Sequence, residues 1–391
     1  MLACLLATTL AATFVHAHLA PWHKGMYGLN GVTGSINYNT DDVVHPLYQL
    51  PQDQWWFHGY NGVPNFPPAD GDFLELPAGK SFMVEIASNR GETTLSFDGD
   101  YTTDWPDGQN YPDDYNVDTC ITSPNMHTQN ETRAAGTAFA ISYTSDIKQV
   151  TPANLIVFTV RYHTPWKRVT YYDVPADMPA CPAGGCICGW GWVPNGCGQP
   201  NMYHLPYRCK VTGATSTKAV GTPKPPVWCE NNPDGCTKGP KQMIYWNQNE
   251  GNNIQVDGLD AAGEPKSPAY NAKCGFPDGA QNDIFTGASS GSSSGSGSSD
   301  SSGSSGSTTN TKATSSSSSS SSNTNIDVDT GAKKVAVSGS SSSSAAAAAA
   351  SASGSAKHVC KTRKARRAEA AERERRSEAF SMHRKRSARG F

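Results

Sequence analysis

Ten histidines are spread along this chain of 391 residues, and His18 occupies a position from which an imidazole can do what an internal one cannot. Residues 2–15, LACLLATTLAATFV, form an apolar stretch of leader-peptide length, with Val15 and Ala17 supplying the apolar and small residues a leader peptidase reads. Cleavage after Ala17 makes His18 the first residue of the mature chain. A terminal histidine presents its α-amine and its ring Nδ1 to the same ion and closes a chelate ring around it. That amine has a pKa of only about 7.7–8.0, so a metal displaces its proton near neutral pH far more easily than it displaces a lysine's. One more imidazole completes a planar, T-shaped set of three nitrogens, which suits Cu(II), the divalent ion at the top of the first-row affinity series. The histidines available for that place are His23, His45, His58, His127, His163 and His204.

Something must hold two distant residues together, and the body of the chain, 18–287, reads as strands. Short apolar or alternating runs occur at 81–88 (SFMVEIAS), 93–97, 136–143 (GTAFAISY), 154–162 (NLIVFTVRY), 168–174 (RVTYYDV), 207–211 and 242–246, separated by Gly, Pro, Asp and Asn clusters. No long amphipathic helix competes with them. The pattern predicts an all-β, antiparallel β-sandwich with long loops, and loops 98–126 and 175–206 are where function is expected.

Cysteines reinforce that reading. Cys4 leaves with the leader and Cys360 lies near the far end, while nine others fall at 120, 181, 186, 188, 197, 209, 229, 236 and 274. The crowded stretch 181–236 lacks the paired C-x-x-C knuckles of a zinc cluster, so disulfides in an oxidising compartment are predicted. Nine is odd, which leaves at least one core thiol free or paired with Cys360. The sequon Asn130-Glu131-Thr132 is consistent with export.

Beyond the body, residues 288–356 collapse into Ser, Gly, Thr and Ala, a composition expected to form a disordered linker because it cannot bury enough apolar area to order itself. Residues 357–391 are a basic tail. They hold 13 of the 32 Lys/Arg and 4 of the 34 Asp/Glu, a surplus of nine positive charges, which leaves the rest of the chain at −11. An acidic body argues against a nucleic-acid-binding core. Apart from the N-terminus no apolar run approaches the ~20 residues of a membrane span, so no membrane partner is expected.

Two segments carry a specific resemblance. HLAPWHKGMYGLN (18–30) and CICGWGWVPNGCGQPNMY (186–203) resemble the fungal copper-dependent lytic polysaccharide monooxygenases of auxiliary activity family 14, and the likeness covers most of 18–287. It implies an immunoglobulin-like (fibronectin III-like) sandwich that binds one copper ion through an N-terminal histidine, a second histidine on a loop and an axial tyrosine. Matched residue by residue, these fall on His18, on His127 in PNMHT (124–128) and on Tyr203 in QPNMY (199–203), with Tyr207 a rival for the axial place. Gln199 and His163 are the polar residues expected to orient the ligands and handle protons.

The resemblance further implies a secreted, monomeric enzyme that takes electrons from a small-molecule or protein donor. With O₂ or H₂O₂ it would hydroxylate a C–H bond in a polysaccharide, xylan lying on cellulose being the associated substrate. The alternative is a non-catalytic copper-binding or wall-binding protein of the same fold. Hydrolysis would need paired carboxylates across a cleft, whereas Asp98, Asp100 and Asp104 read equally well as solvated turn residues. Among the loop aromatics Trp22, Trp55, Trp56, Tyr60, Trp105 and Tyr111, one or two are expected to stack on sugar. Trp190 and Trp192, between cysteines, are expected to pack over disulfides.

Overall fold

The computed structural model describes residues 18–121, 124, 126–194, 200–259 and 265–286. Two sheets face one another. The smaller has three strands in the order β1 (Ala20–Trp22), β3 (Ser81–Ala87) and β6 (Val169–Asp173). The larger has six, in the order β2 (Leu74–Pro77), β8 (Tyr203–Thr212), β7 (Cys186–Trp192), β4 (Thr137–Ser142), β5 (Ile156–Arg161) and β9 (Gly279–Ala280). All pairings are antiparallel except that of β2 with β8, which is parallel. The all-β sandwich expectation therefore holds, with one strand pair departing from antiparallel order.

Alternation explains how β7 and β8 serve the core. In β7, Trp190 and Trp192 face the opposite sheet: the Trp190 indole Nε1 donates to the Tyr172 hydroxyl of β6 at 3.3 Å. The intervening glycines face outward, under covering loops. A Cβ on Gly191 would meet the Tyr270 hydroxyl at 2.4 Å and Met243 Cε at 2.5 Å, so only glycine fits there. Aromatic side chains then fill the space between sheets: Phe82, Phe139 and Tyr172 have ring centroids 4.9–5.5 Å apart, and Phe139 meets Tyr207 at 5.4 Å. Edge-to-face and offset arrangements at these separations add to the stabilisation from apolar burial.

Three disulfides join Cys181 to Cys186, Cys188 to Cys209 and Cys229 to Cys236, and Cys120 is also disulfide-bonded. Cys274 is a free, buried thiol, in keeping with the odd count. The Cys188–Cys209 bridge ties β7 to β8.

Two expected strands do not form. Residues 93–97 make a tight turn whose Phe97 and Asp98 adopt φ of 49° and 53°, because Thr94 is drawn to Glu85 instead of to a neighbouring strand. Residues 242–246 contribute a single bridge, Gln242 to Ile156; there the backbone is taken up by side chains, the Tyr270 hydroxyl accepting from Ile244 N–H and Asn253 Oδ1 from Tyr245 N–H. Conversely β7, with two glycines in seven residues, is a fully buried strand that its glycine content conceals. No helix among the described residues is long and apolar enough to cross a membrane.

Candidate metal centre

Strand register decides which residues meet. Thr137 pairs with Trp192 and with Arg161, and Trp192 pairs with Tyr203, so these residues share one end of the large sheet. On the small sheet Ala20 pairs with Ala87, which brings His18, just before β1, to the corresponding end.

There His18 Nδ1 lies 3.0 Å from the Tyr203 hydroxyl. The His127 ring stands beside them, its centroid 6.4 Å from that of His18 and the two planes within 22°. Trp192 completes the group. Its indole stacks on Tyr203 at 4.5 Å and 21° and meets His127 edge-on at 5.5 Å. His127 is held at φ 49°, on a loop fastened by Ile121 N–H donating to Thr128 C=O and Val117 N–H to Gln129 C=O.

Electrostatics keep His18 and Tyr203 neutral. Burial, then the His127 ring, then His45, depress the His18 pKa to about 4. Burial, with Tyr60 nearby, raises the Tyr203 phenol well above its ordinary value. A neutral imidazole carries the lone pair a metal needs, and a phenol that stays protonated offers a weak neutral oxygen.

The donor set fits one small ion. A metal–imidazole nitrogen bond is about 2.0–2.1 Å, so two rings facing an ion from opposite sides keep their centroids roughly 6 Å apart, the separation seen between His18 and His127. Among the described residues no group of three or more His, Cys, Asp or Glu side chains could hold a metal. Two imidazoles alone leave the set short by one donor, which the α-amine of a terminal His18 would supply.

The remaining sequence candidates have other surroundings where they are described. Tyr207 donates its hydroxyl to Pro21 C=O at 2.5 Å and is fully buried, so it locks β8 to β1 and is engaged away from His18. His163 is exposed, just past β5, and its ring contact is with Tyr162. Gln199 lies outside the described residues. His23 accepts from Gly25 N–H inside its own turn. His204 accepts from Phe57 N–H and stacks on Phe57 at 4.5 Å, and His58 is fully buried; both are driven to a pKa of about 3 by burial first. Exposed His45 is held by Asp42 C=O.

Among the aromatics, Trp22, Trp55 and Trp105 are core residues whose indoles donate to Ala87, Glu250 and Tyr111 carbonyls, so they are unavailable to sugar. Trp56 and Tyr111 are half-buried and Tyr60 is exposed. Trp192, expected over a disulfide, stacks on Tyr203 and meets His127 edge-on. Asp98, Asp100 and Asp104 are all exposed turn residues.

A family profile described as Lytic polysaccharide monooxygenase AA14 matches residues 1–387. The AA14 family lytic polysaccharide monooxygenase B of Pycnoporus cinnabarinus is 38% identical over 281 residues, covering 68% of this chain and 70% of that protein. The family's A enzyme from Trametes coccinea (strain BRFM310) is 37% identical over 286 residues, 70% of this chain and 62% of the relative. The B enzyme from Talaromyces rugulosus is 35% identical over 287 residues, 70% of this chain and 95% of the relative. With two imidazoles and a phenol converging at one end of a β-sandwich, this chain belongs to the AA14 family of lytic polysaccharide monooxygenases, copper-dependent enzymes that cleave polysaccharides oxidatively.

Proposed function

We propose that this chain is exported, cut after Ala17, and binds one copper ion through the α-amine and Nδ1 of His18 and the His127 ring, with Tyr203 on the axial side. The convergence of His18, His127 and Tyr203 supports the reading. Bound copper would supply one-electron redox chemistry with O₂ or H₂O₂, directed at a C–H bond beside a glycosidic link.

The protein's own contributions are positional. His18 stays neutral because burial penalises its charged form, and so keeps its lone pairs available. Tyr203 is fixed by its stack on Trp192 and keeps its proton. The buried Trp192 indole stands between these rings and Trp190 in the sandwich interior. His163 and Gln199 are proposed as the outer polar groups that orient ligands and pass protons. The substrate proposed is xylan associated with cellulose, with electrons from a small-molecule or protein donor and the enzyme acting as a monomer.

Segments 288–356 and 357–391 lie outside the described residues; the basic segment 357–391 is proposed as a loose anchor on anionic wall polymer. Attraction of that kind is screened within about 8 Å at physiological salt, so retention on glucuronate-bearing polymer should fall in high salt or on truncation at residue 288.

N-terminal sequencing of the secreted protein, followed by mass spectrometry of products from xylan-coated cellulose with and without copper, tests the whole reading. Expected are a first residue of His18 and oligosaccharides bearing one added oxygen, dependent on copper and reductant. A different first residue or a blocked amine would remove the chelate. A correct terminus without oxidised product would leave a copper-binding or wall-binding protein.

A further inference from the structure

We infer that Asn130 carries an N-linked oligosaccharide that stands on the flank of the His127 loop and shields the strap 112–118; this rests on the export proposed above. Asn130-Glu131-Thr132 is the single Asn-X-Ser/Thr site in the 391 residues. So short a motif recurs by chance, and two features of the fold mark this one as an acceptor.

The first is the orientation of the carboxamide. Asn130 precedes the turn Glu131–Arg133, and its Oδ1 accepts from Arg133 N–H at 3.1 Å and from the Thr132 hydroxyl at 2.8 Å. A backbone N–H can only donate, so the oxygen faces the turn and Nδ2 faces away from it. There Nδ2 donates to Oδ1 of exposed Asn116 at 3.0 Å. A side-chain amide nitrogen has two hydrogens. Substituting one leaves the other for Asn116, so both the bond and the cap survive modification.

The second is room. Residues 131–133 and 112–114 are all exposed, so a bulky, solubilising group at Nδ2 projects into water. The donor class is an oligosaccharide linked to a polyprenyl pyrophosphate, as met during export. Nδ2 bonds to the anomeric carbon, the anomeric C–O bond to the pyrophosphate breaks, and one amide proton is released with the lipid pyrophosphate. Nothing is oxidised or reduced.

Position gives the glycan its consequence. Val117 N–H donates to Gln129 C=O and Ile121 N–H to Thr128 C=O, and Asn130 fastens Asn116 to the same ladder. Three peptide units separate Asn130 from His127, so their Cα atoms are at most about 11 Å apart. Between Pro112 and Asp118 every residue but Tyr115 and Val117 is exposed, and exposed loop chain is where proteases nick.

The test weighs the peptide bearing Asn130, from the full-length chain secreted by a fungal host, before and after peptide-N-glycanase. Expected is a hexose- and N-acetylhexosamine-bearing mass that the enzyme removes, absent from Asn130→Gln. That variant also alters the cap, so Glu131→Pro is the second. Proline at the middle position blocks the acceptor motif. Its fixed φ suits the first position of a turn, and Asn130 before it is already extended, at φ −162° and ψ 173°. Thr132→Ser should remain glycosylated. Aspartate-specific cleavage at Asp113, Asp114 and Asp118 should run about threefold or more faster in Glu131→Pro, and in wild type deglycosylated in the folded state, than in untreated wild type. Copper affinity should stay unchanged. A bare Asn130 in the secreted wild-type chain overturns the site, and equal cleavage rates overturn the shielding. Oxidised product from a chain that starts at His18 with a bare Asn130 would leave the proposed function intact. A glycosylated chain that yields no oxidised product would sink that function and leave the glycan standing.

Discussion

The Tyr203 hydroxyl sits 3.0 Å from Nδ1 of His18, 185 positions away in the chain, on the very nitrogen that can chelate together with an α-amine. Tyr203→Phe retains the stack on Trp192 and removes only the oxygen. It should change the Cu(II) electron paramagnetic resonance spectrum while lowering affinity less than tenfold. An unchanged spectrum would take Tyr203 out of the copper's surroundings.

Removing a ligand is harsher. Loss of an outer-shell partner costs about 10–100-fold in metal affinity, so His18→Ala or His127→Ala should cost more than a hundredfold by calorimetric titration. A chain extended by one residue before His18 should behave like His18→Ala. Retention of stoichiometric tight binding in both alanine variants would show that other residues hold the ion.

His58 and His204 are buried and neutral, with folded-state pKa values of about 3 against an ordinary 6.5. For a base whose folded value is lowered, the unfolded chain takes up the proton first as pH falls. Stability is therefore lost on acidification from 6.5 toward 3, by up to about 2 kcal/mol per histidine at pH 5. Urea unfolding of the metal-free protein at pH 7 and pH 5 should show a smaller difference for His204→Asn than for wild type. Equal differences would mean that His204 is protonated in the fold.

Glu92 behaves in the opposite sense. Burial raises its carboxyl to about 7, against which the Ser88 hydroxyl bond works, and Asp107 adds repulsion. The folded state thus prefers the neutral acid, and stability declines as pH rises from about 4.5 to about 7. Glu92→Gln, which can still accept from Ser88, should melt higher than wild type at pH 8 and show a flatter pH profile between 5 and 8. A lower melting temperature at pH 8 would assign the ionised carboxylate a stabilising partner.

Gly191 tests the packing behind the site. A methyl group there would come within 2.4–2.5 Å of Tyr270 and Met243, and such overpacking costs about 1–3 kcal/mol. Gly191→Ala should lower the unfolding midpoint and loosen Trp192, visible as altered indole fluorescence. An unaltered midpoint would mean the covering loop yields without cost.

Much was legible from residue types alone. Apolar, β-branched runs such as 137–142 and 156–161 are fully or almost fully buried and announce themselves as strands, and the odd count of core cysteines left one thiol either free or paired with Cys360, of which the structure shows a free one, Cys274. The chemistry of a terminal histidine is likewise local, since amine and ring belong to one residue. Partnership is not local. By residue type alone six histidines were open to the second place, and only the family resemblance singled out His127; His204, next to Tyr203 in β8, points to the opposite face beside Phe57, while His127 stands on a loop beside His18. The same alternation, with period two along β8, sends Tyr203 and Tyr207 to one face but to different heights, so that one hydroxyl meets His18 and the other Pro21. Residue types set what each side chain can do, and strand register, a property of the assembled sheets, decides which of them do it together.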